Sequence, residues 1–105
     1  MRRSSVFLAG EVAKRDLDKA LSVADQIPDG SARNQWLYGT AWEIASKTPD
    51  QAALIAESLT PGGYRKRALE HIGKQWLRKD ADAATQWING SGHFDAKKIE
   101  KLLNR

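Results

Sequence analysis

Four polar side chains follow one helical face in the second half of the chain and could hold a polyanion. They are Arg67, His71, Lys74 and Arg78. The spacing of i, i+4, i+7 and i+11 places all four on the same side of an α-helix. Lys97 and Lys101 occupy the equivalent face of the last predicted helix. If the two helices lie side by side, these residues form one basic surface for a nucleic-acid backbone or another polyanion. The alternative is an ordinary solvated helix face.

Trp42 could anchor a protein partner. The residues 32 positions before and after it are Gly10 and Lys74, so Trp42 departs from the apolar pattern that recurs at this spacing. Tyr38 precedes it by one helical turn. An exposed Trp/Tyr pair is typical of an interface anchor. The alternatives are a contact with an adjacent repeat or with a second copy of the chain. The leading prediction is a non-enzymatic protein-interaction (scaffold or adaptor) module with partner contacts at Tyr38 and Trp42; polyanion binding is the alternative.

The sequence predicts no catalytic, metal or cofactor site. A metal ion needs three or four converging ligands, whereas the chain has two histidines, His71 and His93, and no cysteine. The acid pairs at 16/18 and 80/82 recur at predicted helix starts, which indicates capping rather than paired catalytic carboxylates. No nucleophile elbow, P-loop or dinucleotide fingerprint occurs. We therefore expect the chain not to be an enzyme.

Composition is that of an ordinary globular chain, with 41% hydrophobic and 29% charged residues over 105 positions. No apolar run approaches the roughly 18 residues of a membrane span. The lack of cysteine fits a reducing compartment, and we expect a cytoplasmic protein. Residues 53–105 carry ten Lys/Arg and six Asp/Glu and thus the whole net charge of +4. This asymmetry favours an acidic partner for the second half.

A period of 32 residues organises the chain. Ile27, Gly30 and Arg33 recur as Leu59, Gly62 and Arg65. An amphipathic stripe recurs in three segments at the same spacing: Leu8, Ala9, Val12 and Ala13; Thr40, Ala41, Ile44 and Ala45; Ile72, Gly73, Trp76 and Leu77. Such repetition is typical of stacked helical units, since one unit cannot bury its own apolar face. The tryptophans at 36, 76 and 87 fall on repeated apolar positions and are predicted to be core.

Polar residues recur at the ends of the predicted helices. Asp16, Thr48 and Asp80 each stand just before an apolar pattern, as N-cap residues do. Two cations in first helical turns, Arg33 and Arg65, are each preceded by an acid eight residues earlier. We therefore predict two repeated ion pairs, Asp25–Arg33 and Glu57–Arg65.

The pattern predicts an all-α fold of about seven helices. They span about 4–14, 17–27, 31–46, 49–59, 63–78, 81–89 and 94–104. Short connections make successive helices antiparallel hairpins. These form either a short α-solenoid or a multihelical bundle in a single domain, 1–105. The units cover about 1–30, 31–62 and 63–93, and the helix in 94–105 either caps the series or is a truncated unit of a longer array.

Units of two helices with small residues between them resemble the tetratricopeptide and HEAT classes. The run Trp76, Asp80-Ala81, Ala83-Ala84 and Trp87, followed by a Gly-rich turn, resembles a Trp/Asp-Pro/Ala-rich helical repeat of uncharacterised bacterial proteins. The preceding unit departs from it, with Ile44 and Ile55 at the tryptophan positions. The tetratricopeptide pattern of Trp, Leu-Gly, Tyr and a closing Pro is not met. The resemblance implies a scaffold or partner-binding role and carries over no catalytic residue.

Overall fold

The computed structural model describes residues 5–104, which form seven α-helices and no strand. They are α1 (Ser5–Arg15), α2 (Leu17–Gln26), α3 (Ser31–Ile44), α4 (Pro49–Glu57), α5 (Gly63–Lys79), α6 (Ala81–Gly90) and α7 (Ala96–Leu103). The predicted all-α class is confirmed, with every described boundary within a few residues of its predicted position. Residues 1–4 and 105, which the predicted units include, lie outside the described range. Within that range, no helix has the length and apolarity needed to cross a membrane.

Aspartates begin three of the helices. Asp16 and Asp80 precede α2 and α6, and each accepts a hydrogen bond from the backbone N–H of the third residue of its helix. Both predicted caps are thus confirmed. Asp95 caps α7 in the same way, at 2.8 Å, which moves the start of that helix from 94 to 96. An Asp oxygen suits this position because the first N–H groups of a helix have no partner inside it.

Thr48 occupies the N-cap position of α4, as predicted, but the predicted capping hydrogen bond of its side chain is wrong. Its hydroxyl donates backwards to the carbonyl oxygen of Ile44, at 3.4 Å, and makes no bond to the first turn of α4. Pro49 follows at the first helical position, where a missing N–H costs nothing. Helix α4 therefore begins with proline rather than with a side-chain cap.

The long helices α1 and α3 approach each other closely and run in the same direction. A Cβ atom built on Gly39 would overlap the backbone of Val6, including its carbonyl oxygen. Four residues later on both helices, Gly10 lies beside Glu43. The matching order of the two contacts makes the helices parallel. Gly39 is therefore required by backbone approach and not by a turn.

The short helices link the long ones. Helix α2 contacts α1 and α3, α4 contacts α3 and α5, and α6 contacts α5 and α7. Alanines dominate their buried faces, with Ala20 and Ala24 on α2 and Ala52, Ala53 and Ala56 on α4. Small side chains allow this close packing. A short α-solenoid and a multihelical bundle share this pattern of neighbours, and the choice between them stays a prediction.

The core tryptophans differ in burial. Trp36 is buried, and its indole N–H donates to the carbonyl oxygen of Ala20 at 2.8 Å, so the polar atom of the ring is satisfied. Trp76 and Trp87 are only partly buried, but both pack on the main core, with ring centroids 5.4 Å apart. The predicted core position is therefore confirmed for all three.

One of the two predicted ion pairs forms. Arg33 contacts Asp25 at 3.5 Å and also Asp29 at 2.7 Å. The predicted Glu57–Arg65 pair is wrong, because Glu57 Oε2 lies 2.6 Å from His93 Nε2 instead. Glu57 thus ties α4 to the turn before α7. The contact of Glu57 with His93 does not recur at the repeat spacing, because the residues 32 positions earlier are Asp25 and Pro61.

We expect Gly39→Ala to destabilise the protein by about 1–3 kcal/mol, because the new methyl group meets a backbone that no rotamer change can move. Gly90→Ala is the matched control, since a Cβ at that helical position meets no atom within 4 Å. It should be neutral or slightly stabilising. Urea denaturation of both variants measures the difference, and equal stabilities would contradict the close α1–α3 contact.

The repeated cap positions supply a second comparison. We expect Asp80→Ala to lower the free energy of unfolding by about 1 kcal/mol, because a first-turn N–H loses its acceptor. Thr48→Ala should cost clearly less, since Thr48 makes no such bond. Thermal denaturation of the two variants checks the order, and the reverse order would exclude the assigned caps.

Candidate interaction surface

Trp42 projects from the side of α3 that faces α5. The buried side chains of this helix, including Trp36, Thr40 and Ile44, lie on another face. Trp42 is 42% exposed, and Tyr38 one turn earlier is half-buried. Their ring centroids are 5.7 Å apart. The predicted Trp/Tyr pair is therefore one contiguous feature of the surface.

Helix α5 extends this pair into a row of four rings. Tyr64 lies 4.7 Å from Tyr38 between ring centroids, and His71 lies 3.6 Å from Trp42. We call Tyr64, Tyr38, Trp42 and His71 the aromatic row. The two contacts follow the same order along both helices, so α3 and α5 also run in parallel. The row fills the space between them.

The stack of Trp42 on His71 fixes the indole. The two ring planes are parallel to within 1°. His71 Nε2 lies 3.2 Å from the backbone carbonyl oxygen of Trp42. Because a carbonyl only accepts, Nε2 carries the proton and donates it. The imidazole is thus attached to the same residue through both its ring face and its edge. Trp42 is held in place while much of its ring stays exposed.

The aromatic row is close to neutral. Burial lowers the pKa of His71, and the positive charges of Lys74 and Arg78 lower it further, against the opposing effect of the hydrogen bond to Trp42. The imidazole is therefore mostly uncharged at pH 7. Burial also raises the pKa of Tyr38, which stays a phenol. The cation at the row is Arg67, whose guanidinium carbon lies 6.0 Å from the Tyr64 ring centroid, at the outer range of a cation–π contact.

A second surface lies farther along α5, where α7 approaches it. Lys74 and Arg78 on α5 and Lys98 and Lys101 on α7 line an open pocket of about 430 Å³ together with Glu70 and Leu102. We call this pocket the basic groove. Lys98 Nζ donates to Glu70 Oε1 at 2.8 Å. Lys97 lines an adjoining pocket of about 440 Å³ that shares Lys98 and Lys101 with the groove.

The structure divides the six predicted polyanion-binding residues between two places. Lys74, Arg78 and Lys101 meet in the basic groove, and Lys97 lies beside it. His71 belongs to the aromatic row, and Arg67 lies beside it. Helical periodicity places residues on a face, but what lies opposite that face changes from α3 to α7 along α5. The helices packed against α5 therefore decide which of the six residues lie together.

Sequence reasoning missed Tyr64 and Lys98. Tyr64 occupies a position equivalent to Phe94, and an aromatic residue there looks like a core residue. Lys98 follows Lys97 directly, and only the contact with Glu70, 28 residues away, places it in the groove. Within residues 5–104, no three His, Cys, Asp or Glu side chains converge as metal ligands would. The surface offers ring contacts, hydrogen bonds and positive charge.

Comparison with protein-family models, with curated proteins and with solved structures gave no match for this chain. The resemblance to helical-repeat proteins therefore stays a prediction.

The position of His71 against Trp42 leads to a prediction for the pKa of its imidazole. We expect an imidazole pKa below the ordinary value of about 6.5, measured by NMR. The folded chain then binds this proton less readily than the unfolded chain does. The stability that His71 contributes is thus present above about pH 6.5 and lost as the pH falls through the lowered pKa. Trp42→Ala uncovers the imidazole and should move its pKa back towards 6.5. A wild-type pKa at or above 6.5 would contradict the stacked position.

Proposed function

We propose that this chain is a non-enzymatic protein-interaction module that receives its partner at Trp42 and Tyr38. The supporting observation is that Trp42 stays 42% exposed although His71 and Tyr38 hold its ring. Exposing a large indole to water is unfavourable, and burying it against a partner removes that cost. A fixed ring also loses little conformational entropy on binding.

The residue types around Trp42 support the same proposal. Trp, Tyr and Arg dominate the few residues that carry most of the binding energy in protein interfaces. Trp42, Tyr38 and Tyr64 lie together, with Arg67 beside them. Because His71 is mostly neutral at pH 7, a partner that covers the row does not have to bury a second charge next to Arg67.

Exposure alone does not select Trp42. Leu54 on α4 is more exposed, at 69%. Single exposed aliphatic side chains are normal on protein surfaces. Trp42 differs because it belongs to a contiguous row of rings. Leu54 is therefore the matched control for the proposal.

The proposal predicts a large effect of one substitution. With the wild-type chain as bait in nuclease-treated lysate, the retained protein is identified, purified and titrated by calorimetry. We expect Trp42→Ala to weaken binding by about 30-fold or more, as loss of a central interface anchor does. Leu54→Ala should leave Kd almost unchanged. Added salt should also have little effect, because an aromatic contact is not screened.

Circular dichroism of both variants checks that each is folded. A retained protein that binds Trp42→Ala as tightly as wild type, or that loses as much affinity with Leu54→Ala, would exclude Trp42 as the anchor.

A further inference from the structure

The basic groove holds more positive charge than its own acids neutralise. Glu70 is paired with Lys98 at 2.8 Å. Lys74, Arg78 and Lys101 make no ion pair within the described part of the chain. Lys74 and Arg78 stand one helical turn apart on α5, about 6 Å along its axis. Three unpaired cations therefore line one open pocket and repel each other.

A second pocket adjoins the basic groove along α7. The adjoining pocket shares Lys98 and Lys101 with it and adds Lys97 together with two carboxylates, Asp95 and Glu100. The cations thus form a strip from Arg78 across α7, whose excess of positive charge lies in the groove and falls towards Lys97, where Asp95 and Glu100 stand. The field of this strip reaches the neighbouring surface, since Lys74 and Arg78 both contribute to the lowered pKa of His71. Because Lys74 and Arg78 lie on α5 and Lys101 lies on α7, these three cations suit a linear polyanion that crosses both helices better than one small anion.

We propose that the basic groove is a second binding site, separate from Trp42, and that it binds the phosphate backbone of a nucleic acid. Each phosphate that meets a Lys or Arg side chain releases condensed counterions, and this release supplies affinity without any shape-specific contact. Lys74, Arg78 and Lys101 supply the three free charges. Lys98 is already engaged by Glu70 and positions α7.

The composition of the groove favours nucleic acid over an acidic protein. Its single apolar lining residue, Leu102, is buried, so no exposed apolar side chain is available as an anchor. Lysine is depleted from the centres of protein interfaces, where apolar and aromatic residues dominate. Phosphate binding needs no such centre. The aromatic row has the opposite composition, so the two surfaces suit different partners.

The test measures fluorescence anisotropy of labelled duplex and single-stranded oligonucleotides between about 50 and about 200 mM salt. The groove variant combines Lys74→Gln, Arg78→Gln and Lys101→Gln. The plot of log Kobs against log salt should become shallower by about 0.9 for each lost phosphate contact with a duplex, about 2.7 in all. At about 0.1 M salt the affinity should fall on the order of 100-fold.

A matched control removes the same charge elsewhere. Lys14→Gln, Lys19→Gln and Lys47→Gln change exposed residues on α1, on α2 and after α3. This variant should keep the wild-type salt slope. Trp42→Ala should also bind the oligonucleotides normally, so failure of this proposal and failure of the protein-interaction proposal are distinguishable. Circular dichroism confirms that each variant is folded.

Three results would overturn the proposal. The first is no binding of either oligonucleotide at about 50 mM salt, where charge-driven binding is strong. The second is an equal loss in both triple variants, which would show diffuse attraction without a site. The third is poly-glutamate or anionic lipid vesicles binding as tightly as the oligonucleotides, with the same loss in the groove variant. That result would assign the groove to an acidic polypeptide or a membrane surface.

Discussion

Successive long helices differ in how closely they approach, and the approach of α1 to α3 is the tighter of the two parallel contacts. The backbones meet at Gly39, where no side chain intervenes. On its other side α3 contacts α5 less closely, although the two helices still run in parallel. The wider space must be filled, and four rings fill it instead of small side chains. An indole long enough to reach α5 does not fit entirely between the helices, so part of the Trp42 ring remains in solvent.

Helix α5 carries both surfaces because its neighbours change along its length. Its first half faces α3, and Tyr64 and His71 complete the aromatic row there. Its second half faces α7, and Lys74 and Arg78 point towards Lys101. Arg78 and Lys101 stand in the last turns of their helices. The partial negative charge at a helix C-terminus stabilises a cation there and offsets some of the repulsion within the groove.

The repeat predicts contacts between residues that recur, such as Asp25–Arg33, and misses contacts between residues that do not recur. The repeat at 32 residues places Asp16 and Asp80 correctly, because a cap depends on its own helix alone. The side chain of Thr48 does not cap α4, and its hydroxyl donates to the carbonyl oxygen of Ile44 instead. The predicted Glu57–Arg65 pair does not form, because Glu57 contacts His93 in the turn before α7. Periodicity also predicts that Arg67, His71, Lys74 and Arg78 share a face. It cannot show that α3 covers one end of that face and that α7 borders the other.

One repeated position is occupied by a different residue type at each contact between successive long helices. Gly10, Trp42 and Lys74 stand 32 residues apart, and each faces the next long helix or α7. Glycine at the first place lies beside Glu43 of α3, whereas the closest approach of α1 and α3 is at Gly39. Tryptophan at the second place spans to His71 on α5. Lysine at the third place is exposed and makes no ion pair within residues 5–104, and the space between α5 and α7 is an open, positively charged groove. The same helical position therefore meets a carboxylate side chain, an imidazole ring or an open groove, according to which residue occupies it.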